Sequence, residues 1–213
     1  MNRHRTKILI ADDHTLVAEA CRGLLEPEFE VVGIVADGRA LVHAAAELHP
    51  NVVIADIAMP QLNGLDAGEQ VKQKDHAVKL IYLTMNLRPE VAAEAFRRGA
   101  SGYVLKHCSA EELVVAVRRV IRNESYLSPM ITKDAVDFLL RSGATFREEK
   151  RITTRQSEVL QLLAEGKSMK EIAYTLQLKA GTVAFHKYRM MEFLGVKSNA
   201  ELIEYAMRRN MVA

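Results

Sequence analysis

Five short apolar runs alternate with five amphipathic stretches in the first 125 residues of the chain. The runs lie at 8–11, 31–35, 52–55, 80–84 and 102–105, and the stretches at 16–25, 38–48, 64–74, 89–98 and 110–122. Runs of this kind are typical of strands covered on both faces, whereas apolar residues at helical spacing indicate helices that pack on such a sheet. The alternation therefore predicts an α/β fold: a doubly wound, five-stranded parallel sheet with right-handed crossovers.

The pattern changes after residue 128, and no strand pattern occurs from residue 153 onward. A helix is predicted over 130–141, followed by a polar and charged segment over 142–151. Four further helices are predicted at 154–165, 169–176, 180–194 and 199–211, with end signals such as Gly166, Ser168 and Gly195. We expect a first domain over residues 1–125, a linker with a helix over 126–149, and a second, all-α four-helix domain over 150–213.

Composition restricts the class of protein. Of the 213 residues, 49% are hydrophobic and 26% are charged, which is typical of a globular chain. No run of about 18 apolar residues occurs, and Asp12 and Asp13 interrupt the apolar stretch after the basic N-terminus. We therefore expect no membrane span, no signal peptide and a cytoplasmic location. The two cysteines, Cys21 and Cys108, are expected to be small buried thiols.

Charged residues stand where three of the predicted strands end. Asp12 and Asp13 follow the first strand, Asp56 follows the third, and Lys106 follows the fifth. Because the carboxyl ends of parallel strands share one edge of the sheet, these side chains are expected to meet in one pocket. Like charges at short range need a counter-cation, and Mg²⁺ prefers oxygen ligands. The pocket is therefore predicted to hold this metal and to handle phosphoryl groups.

The first domain resembles the receiver domain of two-component response regulators in the order and spacing of these positions. The resemblance rests on the acidic pair, on Asp56 with Met59-Pro60 and Gly64 after it, and on Thr84, Tyr103 and Lys106. It implies a CheY-like, flavodoxin-like fold in which a sensor histidine kinase phosphorylates Asp56. It also implies that Lys106 pairs with the phosphoryl oxygens, while Tyr103 turns inward as the Thr84 hydroxyl moves.

The same resemblance implies a set of metal ligands and two departures from the family. Asp13 and Asp56 are expected to bind Mg²⁺ directly, Asp12 through water, and Ala58 through its backbone carbonyl. Ala58 also occupies a position that tunes the lifetime of the phosphoryl group in the family. His107 stands where many receivers have proline, so we expect either a trans peptide bond or a strained loop there.

The second domain resembles the LuxR-type helix-turn-helix of the NarL class of regulators. The resemblance rests on segments 153–160, 163–168, 170–173 and 182–183, on Leu178 and His186, and on Leu194-Gly195-Val196. It implies binding to double-stranded promoter DNA, and the 11 basic against 7 acidic residues from residue 149 onward agree with that partner. The candidate contact residues are Lys179, Thr182, Val183, Ala184, Phe185, His186, Lys187, Tyr188 and Arg189.

These candidates are expected to play different parts at the DNA. The side chains that can reach phosphates are Thr182, His186, Lys187 and Arg189, and those expected to face base edges are Ala184, Phe185 and Tyr188. An alternative for both aromatic rings is packing against a neighbouring helix, the receiver or a dimer mate. Val183 is expected to seat the helix against its neighbour as well. Lys179 stands where the family usually has a capping Ser or Thr, and lysine cannot cap in that way.

Together these patterns predict a transcription regulator controlled by phosphorylation. Without phosphate, the receiver is expected to dock on the recognition helix and mask it. Phosphorylation of Asp56 is expected to change the face around the fourth and fifth strands, release the second domain and favour a homodimer. The C-terminal helix, with Leu202, Ile203 and Ala206 on one face, either buries that face or forms the dimer.

Three alternatives remain open at this point. One is a DNA-binding regulator whose receiver works independently of phosphorylation, and another is an interaction module whose C-terminal helices bind protein. The third is an aspartyl-nucleophile phosphatase, which would need an acid where Ala58 stands. We expect no enzyme activity beyond phosphorylation and dephosphorylation of the receiver itself.

Overall fold

The computed structural model describes residues 5–107, 109–142, 152–208 and 211. The strands in this part of the chain are β1 (Lys7–Ala11), β2 (Glu30–Val35), β3 (Val52–Ala55), β4 (Lys79–Thr84), β5 (Gly102–Leu105) and β6 (Tyr126–Leu127). The helices are α1 (Thr15–Leu25), α2 (Gly38–Leu48), α3 (Gly64–Lys74), α4 (Pro89–Arg97), α5 (Ala110–Val120), α6 (Pro129–Ser142), α7 (Thr154–Ala164), α8 (Met169–Thr175), α9 (Ala180–Leu194) and α10 (Asn199–Arg208).

The strands form one parallel sheet in the order β2-β1-β3-β4-β5-β6. The predicted fold class, a doubly wound α/β domain followed by a helical helix-turn-helix domain, is confirmed. The predicted count of five strands is corrected to six, because Tyr126 and Leu127 pair with Gly102 and Tyr103 of β5. A two-residue strand is too short to leave a recognisable pattern in the sequence.

Alternate residues of a strand enter two different apolar cores, one on each face of the sheet. In β1, Ile8 and Ile10 pack beneath α1 and α5, whereas Leu9 and Ala11 pack beneath α2 and α3. Burial on both faces is the reason why the strands read as unbroken apolar runs. Cys21 of α1 is buried in the first of these cores, as predicted, and Cys108 lies outside the described residues.

Residues 126–142 pack onto the first domain, although the sequence reading placed them in a linker. Ser128 is buried, and its N–H donates to the carbonyl oxygen of Tyr103 at 3.0 Å. Ile131 of α6 enters the core beneath α4, against which α6 packs. The short β6 strand thus carries the chain from the sheet edge to α6. The rest of the predicted linker, from residue 143 to 149, lies outside the described residues.

Helices α7 to α10 form the second domain around two apolar clusters. Val183 of α9 lies with Ile172 of α8 in one cluster, and Leu202 and Ala206 of α10 lie with Met190 of α9 in the other. The sequence left open whether the apolar face of α10 is buried or forms a dimer. Leu202 and Ala206 of this face are buried within the domain. Among the described residues, no helix has the length and apolarity needed to cross a bilayer.

The two domains contact each other through α7 and α10 of the second domain. Ser157 and Gln161 of α7 hydrogen-bond to the first domain, and Arg88 donates to the carbonyl oxygen of Arg208 at 3.1 Å. None of the hydrogen bonds and ion pairs described between the domains involves α9. The expectation that the receiver docks on the recognition helix is therefore wrong for this arrangement, because the docked face belongs to the helix that precedes the α8–α9 pair.

Candidate functional site

Backbone contacts hold Asp56 at the carboxyl edge of the sheet, directly after β3. Its N–H donates to the carbonyl oxygen of Ala11, the last residue of β1, at 2.8 Å. On the other side, α3 begins so close that a Cβ atom on Gly64 would lie 1.9 Å from the carbonyl oxygen of Asp56. Asp56 is only 5% exposed. The Asp56 carboxylate therefore starts from a fixed position between β1 and α3.

The structure brings Asp12, Asp13 and Lys106 together with Asp56. Lys106 Nζ donates to Asp56 Oδ2 at 2.7 Å and lies equally close, 2.7 Å, to Asp12 Oδ2. The contact with the buried Asp12 is an ion pair without the alignment of a hydrogen bond. One ligand atom from each of Asp12, Asp13, His14 and Asp56 lies within 4.8 Å of the others. These groups form one pocket.

The charge in this pocket is only partly balanced. Burial disfavours the charged form of Lys106, but its close contacts with the carboxylates of Asp12 and Asp56 outweigh that effect, and the pKa of the ammonium lies above its usual value. The lysine therefore remains a cation at neutral pH. One ammonium among three carboxylates leaves a negative excess, and carboxylate oxygens are the donors that hard divalent cations prefer. The acidic cluster is compatible with a divalent cation.

The two oxygens of the Asp56 carboxylate have different partners. Oδ2 binds Lys106, whereas Oδ1 accepts hydrogen bonds from the N–H groups of Ile57 at 2.7 Å and Ala58 at 3.4 Å. Asp56 is thus linked to the first turn of the β3–α3 loop, which we define as residues 57–63. The peptide bond between Lys106 and His107 is trans.

Thr84 and Tyr103 lie beside the pocket. Thr84 is the last residue of β4, and Tyr103 lies within β5. Both are buried, and the Tyr103 hydroxyl donates to the carbonyl oxygen of Asn86 at 2.8 Å. The N–H of Asn86 donates to Thr84 Oγ1 at 3.2 Å, so one segment after β4 contacts both residues. The ring of Tyr103 is buried and points inward. The switch role expected of Thr84 and Tyr103 stays a prediction.

Several basic and aromatic side chains of helix α9 and its N-cap are exposed to solvent. The exposed candidates are Lys179, Phe185, Tyr188 and Arg189, and the half-buried ones are Thr182, Ala184, His186 and Lys187. Val183 is fully buried among α7 and α8 residues, so its predicted contact with DNA is corrected: its side chain packs α9 against its neighbours. Lys179 occupies the N-cap of α9 without a side-chain cap, as its residue type implies.

The two aromatic rings among the candidate contact residues, Phe185 and Tyr188, are exposed to solvent. Phe185 is 60% exposed and Tyr188 is 64% exposed, which speaks against packing on a neighbouring helix or on the first domain. Lys187 Nζ lies 5.2 Å from the centroid of the Tyr188 ring, a distance typical of a cation–π contact. Of the packing alternatives for these rings, contact with a dimer mate stays open.

The sequence reading missed a group of buried polar residues between the domains. Asn63 and Asp66, at the start of α3, bind Gln161 and Ser157 of α7. Arg98 at the end of α4 adds an ion pair to Asp66 at 2.5 Å. The partners on α3 and α7 are 91 and 98 residues apart in sequence. The only local signal is the four-residue spacing of Ser157 and Gln161, which any solvent-exposed helix face can show.

Comparisons with known proteins match both domains. The family model of the response regulator receiver domain matches residues 8–118, and that of the bacterial regulatory proteins of the luxR family matches residues 150–206. The oxygen regulatory protein NreC of Staphylococcus carnosus is 35% identical over 214 residues, covering 97% of this chain and 99% of the relative. NreC of Staphylococcus aureus has the same identity and coverage.

Solved structures agree with this assignment over the full length. RcsB of Salmonella typhimurium has a TM-score of 0.60 and 28% identity, with 96% of this chain and 99% of that chain covered. RcsB of Salmonella enterica, solved on promoter DNA with the phosphomimetic BeF₃⁻, has a TM-score of 0.59 and 29% identity, with coverages of 94% and 97%. The chain therefore belongs to the response regulators that join a receiver domain to a LuxR-type DNA-binding domain.

Proposed function

We propose that phosphorylation of Asp56 controls the binding of this protein to promoter DNA. The observation that carries the proposal is the contact of one ammonium, Lys106, with both Asp12 and Asp56 at 2.7 Å. Two buried carboxylates around one lysine at a sheet edge are not required for the stability of the fold. A phosphoacceptor pocket, in contrast, needs this arrangement. The phosphoryl donor is a sensor histidine kinase, and the site of action is the cytoplasm.

The chemistry at Asp56 is an in-line displacement at phosphorus. One carboxylate oxygen of Asp56 attacks the phosphorus of a phosphohistidine, forming the O–P bond while the P–N bond breaks. The electron pair of the P–N bond returns to the imidazole nitrogen of the kinase. The Lys106 ammonium, in contact with Asp56, would stabilise charge on the transferred oxygens, and the Thr84 hydroxyl is proposed to donate to them. The same groups would serve phosphorylation by small phosphodonors and hydrolysis.

The pocket fits Mg²⁺ as the divalent cation. Asp12, Asp13 and Asp56 would hold it, together with the backbone carbonyl of Ala58. The fit rests on the convergence of the carboxylate oxygens within 4.8 Å and on Asp12 Oδ2, which no donor meets in hydrogen-bond alignment. When bound, Mg²⁺ supplies charge neutralisation for the phosphoryl group.

At the DNA, α9 is proposed to enter the major groove. Side chains proposed to contact phosphates are Lys179, Thr182, His186, Lys187 and Arg189, and those proposed to contact thymine methyl groups are Ala184, Phe185 and Tyr188. The exposure of both aromatic rings supports this assignment. A homodimer would place two copies of α9 about one helical turn apart on the duplex. RcsB dimers on DNA are a precedent for this assembly.

The experiment that tests the proposal is the substitution Asp56→Asn in the full chain. We expect loss of labelling by acetyl phosphate and loss of the gain in promoter affinity that the phosphodonor produces in the wild type. Asp134→Asn is the matched control, because Asp134 is exposed on α6. Labelling of Asp56→Asn at the wild-type level would refute Asp56 as acceptor. Promoter affinity that ignores the phosphodonor in the wild type would instead support the regulator with a phosphorylation-independent receiver.

A further inference from the structure

A buried glutamine of the DNA-binding domain joins α7 to the loop that follows Asp56. Gln161 is 0% exposed although its side chain is polar. Its Nε2 donates to the carbonyl oxygen of Met59 at 2.8 Å, and its Oε1 accepts from the N–H of Asn63 at 2.6 Å. One side-chain amide therefore binds near both ends of the β3–α3 loop, as a backbone peptide group would do.

Within this loop, Gln61 has a backbone conformation that residues other than glycine rarely adopt. Its φ angle is 64°, and such left-handed conformations persist where surrounding contacts hold them. The contact comes from Glu165, the C-cap residue of α7, whose Oε1 accepts from the N–H of Gln61 at 2.8 Å. Gln161 Nε2 donates to the same oxygen at 3.0 Å. The DNA-binding domain thus stabilises a strained form of the loop.

Two further contacts place the same face of α7 on the receiver. Ser157 donates to Asp66 Oδ2, and Arg39 at the start of α2 lies 3.6 Å from the carboxylate of Glu158. Buried polar groups are costly when they lose their partners, so separation of the domains requires water or other groups to replace these contacts. The interface is therefore specific in geometry, yet it is built from groups that water can satisfy.

We propose that the face of α7 formed by Ser157, Gln161 and Glu165 is a docking surface for the β3–α3 loop. In this proposal Gln161 is a positioning residue, which couples the docking of the DNA-binding domain to the state of Asp56. The coupling rests on the proposed function, in which Asp56 accepts the phosphoryl group. Because α9 takes no part in the described contacts, docking restrains the placement of the DNA-binding domain without covering its recognition helix.

The hydrogen bonds of Asp56 set the direction of this coupling. Asp56 Oδ1 accepts from Ile57 and Ala58, and bonds to a charged carboxylate are stronger than bonds to a neutral acyl oxygen. A phosphoryl group on Asp56 therefore weakens the hydrogen bonds from Ile57 and Ala58. These bonds stabilise the loop conformation to which α7 binds. Phosphorylation loosens docking, and by thermodynamic reciprocity a loss of docking favours the phosphorylated form.

Two readouts on the full chain test the coupling. Amide hydrogen exchange of Gln61 and Asn63 reports docking, because both N–H groups donate to α7 side chains. The concentration of BeF₃⁻, with Mg²⁺ in excess, that half-saturates the receiver reports the state of Asp56. We expect Gln161→Ala to accelerate hydrogen exchange at both amides and to tighten BeF₃⁻ binding, each by about fivefold or more. About fivefold is the lower end of the range typical of coupling between two sites in a protein.

Further variants make the test independent of any single substitution. Glu165→Ala removes the acceptor of the Gln61 N–H at a less buried position, and we expect the same direction as for Gln161→Ala. Gln61→Gly should act in the opposite direction and weaken BeF₃⁻ binding, because glycine adopts the left-handed conformation without strain. Glu192→Ala is the control, since Glu192 is exposed on α9, pairs with Arg189 and takes no part in the described contacts between the domains. It should leave both readouts unchanged.

The two readouts separate failure of this inference from failure of the proposed function. Wild-type exchange rates at Gln61 and Asn63 in both α7 variants would overturn the docking surface. Accelerated exchange with unchanged BeF₃⁻ affinity would overturn the coupling. A wild-type protein that fails to bind BeF₃⁻ at all would instead refute Asp56 as phosphoacceptor, while the exchange data would still decide whether α7 docks on the loop.

Discussion

At position 64 the chain leaves no space for a side chain. Gly64 is the first residue of α3, and an added Cβ would lie 1.9 Å from the backbone oxygen of Asp56. Because the obstacle is backbone, the loop after β3 has to shift before a larger residue fits. The identity of one glycine thus supports the position of the carboxylate that defines the receiver site.

We expect Gly64→Ala to lower the free energy of unfolding of the receiver by about 1–3 kcal/mol, the range for overpacked positions. Gly23→Ala is the matched control, because Gly23 lies in α1 with nothing within 4 Å of an added Cβ. Alanine there should stabilise the helix by about 0.5–1 kcal/mol. Urea denaturation monitored by circular dichroism measures both values, and equal effects of the two substitutions would contradict the close approach.

Two groups beside the pocket, the buried Tyr103 and the half-buried Lys106, make the free energy of unfolding depend on pH in the alkaline range. Burial, with the charge of Asp56, raises the pKa of Tyr103. Burial lowers the pKa of Lys106, but its close contacts with the carboxylates of Asp12 and Asp56 outweigh this effect, so the pKa is raised as well. Groups with raised pKa values stabilise the folded state below their unfolded pKa values, and that contribution is lost as the pH rises through the folded values. The free energy of unfolding should therefore fall above about pH 10.

Substitution of Tyr103 isolates its share of this dependence. Phenylalanine cannot ionise, so Tyr103→Phe should reduce the alkaline slope of the unfolding free energy by up to about 1.4 kcal/mol per pH unit. Tyr174→Phe is the control, because Tyr174 is 89% exposed and its removal should leave the slope unchanged. Urea denaturation at several pH values between about 9 and 11 gives the slopes. Equal slopes for both variants would show that Tyr103 is not protected from ionisation.

At the scale of the element, most helices and strands follow from periodicity and end signals in the sequence. The bounds predicted for α2, α3, α9, β3 and β5 match the structure to the residue. β6 is the exception, because a strand of two residues is defined by its partner β5 and has no periodicity of its own. Ser109 occupies the N-cap position of α5, yet its side chain makes no capping hydrogen bond.

The start of α9 combines a poor cap with a useful charge. Lys179 makes no side-chain cap, whereas Ser168 caps α8 through a capping box with Glu171. We expect Lys179→Ser to stabilise the DNA-binding domain by about 0.5–1 kcal/mol. If Lys179 contacts a phosphate, the same variant should weaken promoter binding and reduce the dependence of log affinity on log salt by about 1.

A second variant separates the cap from the charge. Lys179→Ala removes the charge without adding a cap, so it should weaken DNA binding as Lys179→Ser does but should not raise stability. Urea denaturation and gel-shift titrations at several salt concentrations measure the two effects. Wild-type DNA affinity and salt dependence in both variants would remove Lys179 from the proposed contact surface.

At the scale of the whole molecule, the two domains have separate cores and a polar junction. Each of the four apolar clusters found among the described residues lies within one domain. The described contacts between the domains are hydrogen bonds and ion pairs, such as those of Gln161 and Ser157. An apolar core makes unfolding cooperative, whereas a small polar junction contributes little cooperativity.

We therefore expect two unfolding transitions in calorimetry of the full chain. BeF₃⁻ with Mg²⁺ should raise the midpoint of the receiver transition, and promoter DNA should raise the midpoint of the other. At a ligand concentration of about 100 times Kd, each domain gains about 2.7 kcal/mol from its own ligand. A single transition that both ligands shift by the same amount would contradict the separation of the cores.

The site could be predicted as far as its residues follow ends of strands. Asp12, Asp56 and Lys106 were placed in one pocket from the sequence, since parallel strands bring their carboxyl ends to one edge whatever the details of packing. Tyr103 lies within β5, as predicted, but the bond from its hydroxyl to the carbonyl oxygen of Asn86 could not be predicted, because Asn86 belongs to another segment.

The sequence alone determined the division into two domains, the order of nearly all elements and the sheet edge where the acidic pocket lies. These features follow from hydrophobic periodicity and end signals, which are properties of neighbouring residues. Tertiary structure decided which helix of the DNA-binding domain meets the receiver, and it chose α7 through Gln161 rather than the recognition helix α9. The physical reason is that the residues around a glutamine in the sequence do not show whether its side chain is buried or exposed. Only a partner almost 100 residues away, which supplies a free carbonyl and N–H at matching distances, makes burial of that amide favourable.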